Sequence, residues 1–287
     1  ANRVIILKTI VSILLQKSAY AELEDYVRNT FNEFEANNWF SKDNHPLRLT
    51  MRVWSINSLQ KLLRLEEAQS EISKLHAELK LYKRQNYHEF AFHYFSNQIN
   101  NHKFSGRLDQ SAKVLGEALR QRELIAVDSH VLYLLISQAD QHFKEGEYEQ
   151  ALDQIKEITS QKVFQEVDSE LQFYVRVFEL INLYELGHYK QCSSAYKSLR
   201  KKYKVILKDD FYAKSERFLE ILMRMAKAKM EGKRVFLKSA YRNFVDEYPA
   251  SEVGGNEIMP YEVYLHAKLE EKTYYELFLD WIRKKKR

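Results

Sequence analysis

Along most of the chain apolar residues recur at three- and four-residue intervals with charged residues between them, the spacing that places side chains on one face of an α-helix. From 148 to 158 the apolar positions are Tyr148, Ala151, Leu152, Ile155 and Ile158. Just before them stands a lone glycine, Gly146, within HFKEGEYEQALDQI (142–155), and another helical stripe ends there. A tight corner between antiparallel helices needs a residue that tolerates left-handed backbone, so the pattern predicts two helices joined at Gly146.

The same offsets recur. Gly187 is followed by Tyr189, Cys192, Tyr196 and Leu199 at two, five, nine and twelve residues. Gly106 gives Leu108, Ser111, Leu115 and Ala118, and Gly232 gives Arg234, Leu237, Tyr241 and Phe244. Three copies lack the glycine: Ser18 leads to Tyr20, Leu23 and Val27; Leu63 to Leu65, Ala68, Ile72 and Leu75; Lys272 to Tyr274, Leu277 and Trp281. The seven markers lie 40 to 45 residues apart. The residue five after each corner is where the two helices approach most closely, and bulky residues at two, nine and twelve form the inward stripe of the second helix. Pro46, Pro249 and Pro260 fall between pairs, at or just before helix starts.

Glycine, an aromatic or leucine two later and a small residue five later, as in Gly146, Tyr148 and Ala151 with Ala139 before them, resemble the landmarks of the tetratricopeptide repeat. The resemblance is fullest at residues 131–160 and 171–200. The period is longer than that family's and its first-helix Trp is absent, so the chain looks like a divergent relative. It implies an all-α, right-handed superhelical α-solenoid of about seven antiparallel helix pairs, near 3–36, 47–82, 86–122, 128–160, 166–205, 209–248 and 259–286, forming one array over 1–287. The longer period calls for longer helices or longer links between pairs.

By the same resemblance the first helix of each pair lines a concave wall. Counting back from the corners places Asn57, Gln60 and Lys61 there, then His93, Asn97, Asn100 and Lys103. Next come Tyr133, Ser137, Asp140 and Phe143, then Tyr174, Phe178, Ile181 and Tyr184, and last Leu222 and Met223. Amides and lysines thus give way to aromatics, a wall suited to an extended peptide. The competing reading is that the superhelix fills its own groove and these aromatics are core. A family clamp for terminal carboxylates is not expected, because Val53, Tyr133 and Ser137 stand where its cations belong.

Composition narrows the picture. Seven Gly and three Pro in 287 residues favour long helices and short loops. The formal charge of +5 equals that of the last five residues, Arg283 to Arg287, so the body of the chain is balanced. A solvated basic tail, rather than a basic face for nucleic acid, is the expectation. The run Arg200, Lys201, Lys202 and Lys204 ends a helix, where cations suit the dipole. One cysteine, Cys192, fits a reducing, cytoplasmic setting and a close-packed position. VIILKTIVSILL (4–15) is too short to span a bilayer and reads as a buried helix. A start at Ala1 fits a fragment of a longer protein whose upstream part covers that helix.

Catalytic patterns are weak. His88 and His93 in HEFAFH are five apart, about 140° round a helix, and cannot share a metal as histidines four apart do. VGGNE (253–257) lacks the lysine of a phosphate loop and reads as a link into the last pair. No metal, cofactor or catalytic residue is expected. The expected role is a non-catalytic scaffold holding a protein or peptide segment. Its alternatives are a peptide-sensing regulatory domain, or an assembly module that self-associates through the C-terminal pair, whose last helix carries the apolar arc Tyr274, Leu277, Phe278 and Trp281.

Overall fold

The computed structural model describes residues 2–233, 237–249 and 257–285; Arg234, most of the VGGNE stretch and the last two residues of the basic tail lie outside them. The described residues form fifteen α-helices with short 3₁₀ turns and no strand: α1 (Asn2–Gln16), α2 (Tyr20–Ala36), α3 (His45–Lys61), α4 (Leu65–Glu78), α5 (Tyr87–Phe104), α6 (Leu108–Arg120), α7 (Asp128–Glu145), α8 (Tyr148–Ser160), α9 (Lys162–Glu166), α10 (Ser169–Glu185), α11 (Tyr189–Lys202), α12 (Ala213–Met230), α13 (Leu237–Glu247), α14 (Tyr261–Glu270) and α15 (Tyr274–Lys285). Consecutive helices pack as pairs. The chain divides into two compact units, residues 1–131 and 132–285, a division that the evenly spaced corner markers do not register.

The corners are one motif repeated. Ser18, Leu63, Gly106, Gly146, Gly187 and Gly232 all adopt φ between 52° and 80°. At each, the next residue's N–H bonds the carbonyl five back: Ala19 to Leu14, Arg64 to Leu59, Arg107 to His102, Glu147 to His142, His188 to Leu183 and Lys233 to Ala228, all at 2.8 to 2.9 Å. This is the Schellman end, which satisfies carbonyls that a helix otherwise leaves bare. The seventh corner sits one residue earlier than expected: Glu271, not Lys272, is left-handed (φ 53°), and Lys272 N–H bonds Ala267. The residue gained lets Thr273 cap α15, with Glu276 reaching back to its N–H and hydroxyl. Five residues after the first five corners, Leu23, Ala68, Ser111, Ala151 and Cys192 are at most 1% exposed.

The long period has two sources. First helices such as α5, α7 and α12 run 18 residues. Links between pairs carry turns of their own, including Leu81–Arg84 and α9.

Unit 1 is cored at its start by Leu7, Val11, Leu23, Val27, Phe34 and Met51. α1 is not buried all round as its sequence led one to expect. Only Leu7 and Val11 are covered, while Ile5, Ile6, Ile13 and Leu15 are 40 to 63% exposed, because α2 lies against one side of it alone. In unit 2, α14 is the enveloped helix: Tyr261, Glu262, Val263, Tyr264, Leu265 and Ala267 are all buried. No helix of the described residues is long and apolar enough to cross a membrane.

Candidate functional site

The residues expected on the wall separate by unit. In unit 1, Asn57 is exposed, and Lys61, His93 and Asn100 are half-buried. Asn97 and Lys103 are interior, each 4% exposed. Gln60, also buried, donates to the Asn97 backbone carbonyl at 2.7 Å and joins α3 to α5. Asn101, which the sequence pattern did not single out, is fully buried and donates to the Leu65 carbonyl (3.2 Å) and to Gln69 (2.9 Å). Gln60 of α3 and Asn101 of α5 therefore serve as ties between pairs, since a buried amide must find internal partners. Lys61 lies 5.7 Å over the Tyr20 ring. His93 packs against Phe90, Phe92 and His130, and burial, with the charge of His130, holds its pKa below the usual value. His88, on the same helix, is exposed.

In unit 2 the expected aromatic wall is core. Tyr133 alone is exposed; Phe143, Tyr174, Phe178 and Tyr184 are 2 to 6% exposed, and Ile181 and Leu222 are buried with them. The reason is α14 and α15, which fold back on helices far earlier in the chain. The Phe143 ring meets Phe178 at 5.4 Å, Tyr274 at 5.7 Å and Tyr264 at 6.4 Å. Tyr261 stacks on Phe218 at 4.1 Å. Tyr264 donates to Glu185 at 2.5 Å, and Lys268 reaches the same carboxylate at 2.6 Å. Covering a large apolar side chain is worth about 1.5–3 kcal/mol, so α14 takes the place expected for a ligand. The same closure buries Tyr274, Leu277 and Phe278, leaving only Trp281 half-open, and so removes the apolar arc that pointed to self-association. Asp140, also expected on the wall, is buried and paired with Lys144.

Two reactive-looking features resolve locally. Burial pushes the Cys192 thiol up to about 12, and its Sγ lies 3.4 Å from the Leu180 carbonyl. At the Gly146 corner His142, Glu145 and Glu147 bring ligand atoms within 4.8 Å of one another, but His142 Nδ1 is engaged by Glu147 at 2.7 Å and Glu145 by Gln141 at 2.5 Å. Both acids are exposed, and the contacts read as surface pairing at a turn.

Unit 1 also has an open cleft that the sequence pattern did not single out. About 550 Å³ lies between α2 and α4, floored by one stripe of α3: Arg48, Met51, Arg52, Ser55 and Leu59. Arg52 is 6% exposed and forks onto Glu78, Nε to Oε2 at 2.8 Å and Nη2 to Oε1 at 2.6 Å, while its Nη1 meets Glu71. Arg48 joins Glu78 and Glu35, each at 2.8 Å. Glu24, buried, is met by Arg64 at 3.2 Å and Arg28 at 3.6 Å. Phe31 lies beneath both central guanidiniums, 4.8 Å from Arg52 and 5.1 Å from Arg48. Burial alone would raise the Glu78 carboxyl, but the hydrogen bonds and charge of Arg52, then Arg48, hold it below the ordinary carboxylate range. The spacing of Arg48, Arg52 and Ser55 on one helical face was readable; that their carboxylate partners come from α2 and α4 was not.

No protein-family model, curated protein or solved structure matches the chain.

Proposed function

We propose that the chain is a non-catalytic interaction scaffold whose unit 1 holds an extended peptide segment of a partner protein between α2 and α4. The observation that carries this reading is the cleft itself. It is open, and its walls are fixed by a buried ion network rather than by loops, so its polar groups are pre-positioned. Four cations and five carboxylates line it, together with Ser55, Ser70 and Asn32. Near-balanced charge with closely interleaved donors and acceptors suits the alternating N–H and C=O groups of a backbone better than a highly charged ligand. The repeated helix corners, resembling those of tetratricopeptide repeats, support a scaffold role for the array as a whole. Phe143, Tyr174, Phe178 and Tyr184 have no part in it.

The test is selection of a displayed peptide library on the intact chain, followed by affinity measurements on two variants. Ser70→Trp fills the cleft from an exposed position and is expected to weaken the selected peptides at least ~10-fold, a loss of about 1.4 kcal/mol, with an unchanged melting curve. Asn57→Ala, on the originally expected wall, is expected to leave them unaffected. Peptides that ignore Ser70→Trp would overturn the reading.

A further inference from the structure

Unit 2 carries a cleft of a different character, at the end of its helices where the corners lie. Its volume is about 1250 Å³, and it is bounded by the C-terminal ends of α10, α12 and α14, the start of α11 and the first turns of α13. Six cations line it, Lys229, Lys233, Lys238, Arg242, Lys268 and Lys272, against two carboxylates, Glu185 and Glu271. Glu185 is already held by Lys268 at 2.6 Å and by the Tyr264 hydroxyl. Lys233 reaches Glu231, outside the lining, at 2.6 Å. Lys229, Lys238, Arg242 and Lys272 have no carboxylate at ion-pair distance among the described residues, and all four are exposed.

Helix dipoles account for part of this charge. Lys229 and Lys268 end α12 and α14, where a cation is favoured. Lys238 and Arg242 are not placed this way. Lys238 stands in the first turn of α13, where the dipole disfavours a cation, and Arg242 follows four residues on, where like charges repel. The neighbouring helices sharpen the contrast. Of the seven second helices, α2, α4, α6, α8 and α15 carry an acid in the first turn, as the dipole prefers. Only α11 and α13 lack one, and both border this cleft. Charge is therefore concentrated here against local helix energetics, and an anion from outside the chain would offset that cost.

We propose that this cleft docks an acidic peptide segment of a partner protein. Its volume exceeds the roughly 300–1,000 Å³ of sites that take small ligands, so a polymer segment fits better than a single small anion. A single-stranded nucleic acid needs aromatic faces on which bases stack. The two aromatics in this wall do not offer them: Tyr184 is 6% exposed, and the half-buried Tyr189 ring packs on it at 5.5 Å. A run of Asp and Glu asks only for cations and room.

The probe is a labelled poly-glutamate peptide of about ten residues, followed by fluorescence anisotropy on the intact chain. Binding that weakens ~10-fold or more between low and physiological salt is expected, as is a similar loss in Lys238→Glu with Arg242→Glu. Reversal of two cations elsewhere, Lys42→Glu with Lys80→Glu, is expected to change affinity less than ~3-fold by long-range screening alone. Should the reversal variant misfold by circular dichroism, Lys238→Gln with Arg242→Gln replaces it, with a smaller loss expected. No binding, equal loss in both pairs of variants, or tighter binding of an oligonucleotide of equal charge would each overturn the proposal. Ser70→Trp is expected to leave poly-glutamate binding intact, so this site and the α2–α4 cleft succeed or fail separately.

Discussion

The α2–α4 cleft of unit 1 and the basic cleft of unit 2 are both polar hollows framed by helix pairs, yet they treat charge in opposite ways. In the first, four cations meet five carboxylates, and the central ones are buried and bidentate. In the second, six cations meet two carboxylates, and most are exposed. Buried charge must be compensated inside the fold because its desolvation costs several kcal/mol per ion. Exposed charge is solvated and need not be. The buried charges of the first therefore hold the shape of its cleft, whereas the exposed charges of the second are free to meet the charge of a ligand.

That contrast is most sharply tested by removing a cation from each. Arg52→Met leaves the buried Glu78 carboxylate to Arg48 alone and is expected to cost unit 1 about 1.5–3 kcal/mol in urea unfolding, while Arg52→Met with Glu78→Leu recovers most of it. Because Glu78 is held below its unfolded value of about 4.3, its contribution is present above that pH and is lost as pH falls further. The double variant is expected to lose less stability on acidification. If Arg52→Met alone were neutral, the network would not be supporting the wall.

The corners give a middle-sized effect. Ser18 occupies in unit 1 the left-handed conformation that Gly146, Gly187 and Gly232 occupy in unit 2. A side chain there costs about 1 kcal/mol. Ser18→Gly is expected to stabilise by several tenths of that and Gly146→Ala to destabilise by about 1 kcal/mol, read from denaturation midpoints. Opposite signs are the prediction; equal signs would mean the corners are not equivalent.

The smallest effect belongs to the basic cleft. Arg242→Gln relieves a like-charge pair with Lys238 and is expected to stabilise the chain by about 0.3 kcal/mol. A loss above about 1 kcal/mol would show that Arg242 is structural, and would weaken the contrast between the clefts.

Much of the fold was legible because helix corners are local. Gly146, Tyr148 and Ala151 lie within six residues, and Schellman bonding involves only the turn itself. Even Ser18 and Leu63, without glycine, were located by the apolar stripes of the helices after them. Glu271 was missed by one residue because Thr273 and Glu276 form a capping box that competes for the register. The candidate sites were less legible. Counting assigned Asn97 and Phe143 to an open wall, yet both are buried, because whether a helix face meets solvent depends on helices dozens of residues away. Lys238 and Arg242 could have been noticed, since a helix that opens with cations and no acid breaks the habit of its neighbours.

By itself the sequence determined the helices, their pairing and the positions of the corners, for these depend on backbone conformation and nearest-neighbour packing. Tertiary structure alone decided which faces remain open. α14 and α15 return onto α7 and α10 because their aromatic rings bury more apolar surface there than solvent would allow. Arg52 finds Glu78 only once α3 and α4 pack. Burial and charge balance are sums over contacts distant in the chain, and no local pattern of residues contains them.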